Sequence, residues 1–172
     1  MKQKIFTKGK TVMLIVVTML FVSAVNAQTR GSIAVLDFQT GANITRSQVE
    51  GVSDMFLTFF NPQGFALVER TQINRVMAEQ RFQHTSITDA DAVRLGRILN
   101  VNHIVLGRMS IMGGRYQLDV RVINVQTGAI IARDGTEWGR NASPREPMRG
   151  LANRLAQRIP PPPPPPAPVM RF

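Results

Sequence analysis

The chain contains no cysteine. That excludes disulfides, thiolate chemistry and thiol-ligated metal sites. It also excludes the tether of a bacterial lipoprotein, a lipid on a leading cysteine. Lysine is nearly as scarce. Its four copies are Lys2, Lys4, Lys8 and Lys10, and every later cationic side chain is arginine. Histidine occurs twice, as His84 and His103. Neither has an Asp, Glu or Ser near it in an order that suggests a relay, so no catalytic group stands out. No Gly-Lys-Ser/Thr follows Gly41 or Gly113-Gly114, which removes a phosphate loop.

The lysines sit before an apolar run from Val12 to Val22, and a small-residue stretch ends in Val25-Asn26-Ala27. A basic head, a short apolar middle and an alanine exit make a secretory signal peptide. The run is shorter than the roughly 20 residues of a membrane span. Cleavage is expected between Ala27 and Gln28. The expected location is therefore the periplasm, with outer-membrane association left open, but not as a lipoprotein. Residues 1–27 read as leader, 28–159 as one domain large enough for a real core, and 160–172 as a proline-rich tail.

Without the leader, 17 arginines stand against 11 acids, a net charge of +6. The excess is uneven. Gln28–Gly139 holds 11 arginines against 10 acids, and Arg140–Phe172 holds six against Glu146 alone. An exported chain rarely meets nucleic acid, so the sequence pI near 11.5 is not read as a nucleic-acid footprint.

Ser32–Phe38 is nearly continuously apolar and reads as a strand covered on both faces. Gly41-Ala42-Asn43 is a loop. Thr45 with Gln48 forms a capping-box signature. Val52, Met55, Phe56, Phe59 and Phe60 form the stripe of the helix that follows. Asn61-Pro62-Gln63-Gly64 ends that helix, and Phe65–Val68 reads as a second buried strand. Thr71 is expected to cap the next helix, with Ile73, Val76, Met77 and Phe82 inward. Thr88 with Asp91 opens a third helix, with Ala92, Leu95, Ile98 and Leu99 inward. The period then changes to two. His103–Ile111, a strand with Tyr116, Leu118, Val120 and Val122 on one face, and Ala129–Thr136 form a C-terminal antiparallel meander. Its turns are Gly113-Gly114 and Gln126-Thr127-Gly128. Ser143, Pro144 and Glu146 start a last helix with the stripe Met148, Leu151, Ala152, Leu155 and Ile159. The order is β-α-β-α-α-β-β-β-α. It predicts an α/β (α+β) fold, with helices packed on a mixed sheet.

Several segments carry a resemblance. They are Ile33-Ala34-Val35-Leu36-Asp37-Phe38, then Phe65-Ala66-Leu67-Val68-Glu69-Arg70-Thr71-Gln72-Ile73, then Val76-Met77-Ala78-Glu79-Gln80. Leu95-Gly96-Arg97-Ile98-Leu99 and Ile104-Val105-Leu106-Gly107 follow. The last is Val120-Arg121-Val122-Ile123-Asn124-Val125-Gln126-Thr127-Gly128. In this order and spacing they resemble the CsgG family, envelope proteins related to the curli secretion channel and to the penicillin-binding-protein activator LpoB. The resemblance implies a periplasm-facing, non-enzymatic domain that binds envelope proteins, in some members as a ring. Two departures limit it. The lipoprotein cysteine is missing. Arg81–Thr88 and Ile111–Arg115 are also too short to hold membrane-crossing hairpins, whose strands need about 9–11 residues each. The resemblance therefore points to the soluble domain and away from a pore. In the activator relatives the proline-rich arm precedes the domain; here the prolines follow it.

The candidate site lies near the end of the chain. Arg145, Arg149, Arg154 and Arg158 recur on the last helix. They suit an acidic partner surface, an anionic membrane surface or cell-wall carboxylates, or else a solvated face. Pro160, Pro161, Pro162, Pro163, Pro164, Pro165 and Pro166 make a polyproline rod about 20 Å long, fit for recognition or for spacing. Asp37, Asp89 and Asp91 are read as strand-end and helix-start residues, with Asp37 bonding loop amides or a helix start. Glu69-Arg70 is read as an ion pair or a cap. No cofactor and no metal site is expected. The expected function is that of a non-enzymatic accessory protein of the cell envelope. Its partners would be a cell-wall synthase or a secretion component. The alternative is a subunit of an oligomeric export ring that lacks its own transmembrane hairpins, self-associating through a sheet edge or the last helix.

Overall fold

A computed structural model describes residues 31–82 and 87–161. The predicted leader, its Ala27–Gln28 cleavage point, His84 and Pro162–Pro166 lie outside the described residues. Strands β1 (Gly31–Val35), β2 (Gln39–Thr40), β3 (Phe65–Leu67), β4 (His103–Met112), β5 (Arg115–Asn124) and β6 (Ile130–Gly139) form one mixed sheet. The main order is β3-β1-β4-β5-β6. β1 runs parallel to both β3 and β4, and β2 adds a two-residue parallel bridge to β4. β4, β5 and β6 form the antiparallel meander. The mixed sheet and the element order agree with the sequence reading, apart from β2. That strand is too short to leave a periodic signal.

Helices cover the sheet from both sides. On one face lie α1 (Arg46–Phe59) and α4 (Arg145–Arg158), packed on Ile33, Val35, Val105, Met109, Leu118, Val120 and Val122. On the other lie α2 (Arg70–Glu79) and α3 (Asp89–Ile98), packed on Ala34, Leu36, Ile104, Leu106 and Ile123. Adjacent strand residues point to opposite faces, which is why β1 and β4 had to be apolar throughout. Each fully buried Leu, Ile or Phe contributes about 1.5–3 kcal/mol of transfer free energy. Phe56 stacks on Phe60 and meets the edge of Phe38, with centroids 5.0 and 5.3 Å apart. Gly107 leaves room for Phe38, whose ring would lie 2.2 Å from any Cβ built there. Among the described residues no helix is long and apolar enough to cross a membrane.

Local signals explain most boundaries. The Thr45 N–H donates to Gln48 Oε1 at 3.0 Å. The Thr88 N–H donates to Asp91 Oδ2, and the Asp91 N–H donates back to Thr88 Oγ1, each at 3.1 Å. Gly113 and Gly114 take φ of +56° and +77°, which lets two residues reverse the chain between β4 and β5. The start of the last helix departs from the reading: Pro144, not Ser143, holds the N-cap position, Ser143 Oγ accepts from the Arg145 N–H at 3.3 Å, and Glu146 turns to Arg149 instead of closing the box.

Three further expectations about the fold need correction. β3 is not buried throughout: it is an edge strand, and Leu67 is 36% exposed. Thr71 does not cap α2, because Glu69 holds the extended N-cap position and Thr71 lies inside the helix. Ile98 does not face inward: it is 43% exposed, because Ala92, Leu95 and Leu99 already fill the contact with the sheet.

Candidate functional site

The inner stripe of α4 fixes where its arginines go. Met148, Leu151, Ala152 and Leu155 are fully buried and Ile159 nearly so. The charged residues must therefore leave from the flanks and the outer side. They leave in two pairs. The guanidinium carbons of Arg145 and Arg149 lie 5.5 and 5.2 Å from the centroid of Phe59, a ring presented by α1. Arg149 also meets Glu146 at 3.4 Å. Phe59 is only partly buried, so this pair forms a cationic cap over an accessible aromatic.

Arg154 and Arg158 turn the other way, onto β6. Arg154 Nε donates to Asp134 Oδ2 at 2.8 Å, and its Nη2 donates to the Gly135 carbonyl at 3.3 Å. Arg158 Nη1 donates to the Arg133 carbonyl at 2.9 Å and pairs with Asp134 at 3.4 Å. The hydrogen bond from Arg154 holds the Asp134 carboxyl below the usual carboxylate range, against the opposing effect of burial. β6 is the last strand of the sheet. The two guanidiniums therefore occupy backbone acceptors on its open edge, which would otherwise be available to another strand.

Pro160 and Pro161 are exposed beyond α4 and line a cleft of about 610 Å³. Phe65, Arg97, Val101, His103 and Val125 line it too, with the amides of Asn100, Asn102, Asn124 and Gln126. The cleft lies at the end of the sheet where β3 and β4 begin. His103 is 5% exposed, and burial lowers its pKa from the ordinary imidazole value. Among the described residues its Nδ1 has no hydrogen-bond partner.

The opposite end of the parallel strands joins residues that sequence reasoning had treated separately. Arg70 Nε lies 3.2 Å from Asp37 Oδ1, and Arg70 Nη1 donates to Asp54. Asp37 thus meets the charged side chain of the first residue of α2, where hydrogen bonds to loop amides or to a helix start were expected. The Asp37 contact is a charge pair without hydrogen-bond alignment. Ser53 Oγ receives the Phe38 N–H at 3.0 Å in its place. Asp91 is a helix-start residue as read, and its bonds to Thr88 lower its pKa. Asp89 adds an ion pair to Arg121 at 2.6 Å. No group of three His, Cys, Asp or Glu among the described residues could hold a metal. Sequence reasoning missed Asp134, Phe59 as an arginine platform, and the Arg70 cluster. Only the family segments around Asp37 and Glu69-Arg70 gave any signal for the last.

Comparison with known proteins places this arrangement. The family described as "Curli production assembly/transport component CsgG" matches residues 17–113, more than half of the chain. This chain belongs to the CsgG family. The match starts inside the apolar run and ends in the turn after β4, so β5, β6 and α4 lie beyond it. Among solved structures, this CsgG-family chain is similar to the LpoB C-terminal domain of Salmonella enterica. The two share 18% identity with a TM-score of 0.50, over 74% of this chain and 94% of that one. A lipoprotein from Neisseria meningitidis is similar at 13% identity and a TM-score of 0.54, over 74% and 95%. At such identities the likeness concerns the fold alone. No curated protein matches the chain.

Proposed function

We propose that this CsgG-family chain is a non-enzymatic accessory protein of the bacterial cell envelope. It acts by binding partner proteins in envelope assembly, secretion or cell-wall synthesis. The leader would export it to the periplasm and be removed between Ala27 and Gln28. The observation that carries the binding role is the Arg145–Arg149 pair held over Phe59. Neither arginine pairs with Asp134, the acid that neutralises Arg154 and Arg158. A fixed pair of guanidiniums on an aromatic ring suits an acidic partner surface and loses little rotamer freedom on docking. The proline-rich segment from Pro160 would extend that contact.

The test is crosslinking in intact cells, with identification of the attached proteins. Arg145→Ala with Arg149→Ala should remove a partner that the unaltered chain captures. Truncation before Pro160 should weaken the same capture. Equal capture by all three chains would refute the role. The export-ring alternative draws less support. Arg154 and Arg158 fill the middle of the β6 edge, one of the two surfaces through which such a ring would self-associate. A ring on light scattering of the mature protein would reinstate it.

A further inference from the structure

The cleft beside Pro160 has a composition that its shape alone does not require. Its polar wall is Arg97, Asn100, Asn102, His103, Asn124 and Gln126, with no carboxylate among them. Two of the amides have fixed orientations. Asn102 Oδ1 accepts from the Ser32 N–H at 2.8 Å. Asn124 Oδ1 accepts from the Gln126 and Thr127 N–H groups, each at 3.0 Å. With the oxygens engaged, each remaining NH2 is a donor. Arg97 has no ion pair among the described residues. Beneath them the buried His103 Nδ1 lacks a partner among the described residues, a state that native proteins seldom leave uncompensated. The rest of the wall is apolar, from Phe65, Val101, Val125, Pro160 and Pro161.

One guanidinium, several amide donors and an apolar patch complement one kind of ligand: a carboxylate attached to a peptide. We propose that this cleft binds the C-terminal end of a partner polypeptide. Arg97 takes the carboxylate. The amides of Asn102 and Asn124 take the adjoining peptide carbonyls. Pro160 and Pro161, the exposed apolar residues of the wall, receive the last side chain. A sugar acid fits less well, because Phe65 is 9% exposed and packs edge-on against His103, leaving no ring face for stacking. The site is distinct from the Phe59 platform but shares Pro160 with the proline-rich segment, so Arg97→Gln, which leaves that segment intact, tells failure of this site from failure of the proposed function.

The test is a titration of the isotopically labelled full chain, followed by NMR of the Asn102 and Asn124 side-chain amides and of His103. The probes are an N-acetylated tetrapeptide ending in a free leucine carboxylate and the same peptide as its C-terminal amide. The acid should give saturable shifts confined to the cleft and bind about tenfold or more tightly than the amide, as loss of a charge-assisted hydrogen bond requires. Arg97→Gln, at an exposed position, should bring the two forms level. Gln126→Glu should weaken the acid form and spare the amide. Equal binding of acid and amide to the unaltered chain, or no shift at these residues at millimolar peptide, would overturn the proposal.

Discussion

The two halves of α4 carry the same sequence device and put it to different use. Arg145 and Arg149 are four residues apart, and so are Arg154 and Arg158. The first pair lies over Phe59 on the outer side of the molecule. The second reaches Asp134 and the carbonyls of Arg133 and Gly135 on the sheet edge. Helical spacing says which residues share a side of a helix. It does not say what that side meets. The neighbour is set by β6, which enters from about 20 positions earlier in the chain, and no local pattern announces it. One pair is therefore a surface and the other a seal.

The shared inner stripe should give the largest effect. Leu155→Ala empties a fully buried position under the second pair. It should destabilise the fold by about 2–5 kcal/mol, read from urea unfolding. A loss under about 1 kcal/mol would mean that α4 is not anchored as described.

Next is the seal. Asp134→Ala should cost about 1–2 kcal/mol, since both guanidiniums lose their carboxylate but can turn to water. The pH dependence has a definite sign. The folded carboxyl titrates below its unfolded value of about 3.9. Its stabilisation is present above that value and is lost as pH falls through the folded one. Asp134→Ala should therefore flatten this part of the acid limb of stability below about pH 4. The variant should also self-associate more than the unaltered chain by light scattering, because the carbonyls of Arg133 and Gly135 become less well covered. An unchanged acid limb would break the assignment of the second pair as a seal.

The surface pair should be quieter in stability and louder in binding. Arg145→Ala with Arg149→Ala removes two exposed cation–π contacts on one ring, each worth about 0.5–1 kcal/mol. Arg154→Ala with Arg158→Ala should do the reverse, affecting stability and leaving partner capture intact. If both double variants lose the same partner, the contrast between the halves does not extend to binding.

How legible this was depended on distance along the chain. The α4 stripe, the Thr88–Asp91 box and the Gly113-Gly114 turn were readable because their determinants lie within one or two turns of backbone. The alternation of Leu118, Val120 and Val122 was readable because one face of β5 had to be covered. The ion pair of Asp37 with Arg70 was not, since 33 positions separate its members. Nor was the β6 seal. The cleft escaped notice for another reason. Asn100, Asn102, Asn124 and Gln126 are ordinary loop and strand-end residues, and only the sheet brings them to one wall.

The smallest predicted effect tests the one inward residue that the period assigned wrongly. Ile98 continues the apolar spacing of α3, yet it is 43% exposed beyond Leu95 and Leu99. Lysine keeps helix propensity there and places a cation in the last turn, where the helix dipole favours it. Ile98→Lys should therefore change stability by no more than about 0.5 kcal/mol. A buried isoleucine in that place would instead leave an unpaired charge in the core and cost several kcal/mol. The gap between these outcomes is wide enough for a single urea transition to decide. A large loss would put Ile98 back under α3 and would require the packing of α3 against β4 and β5 to be redrawn.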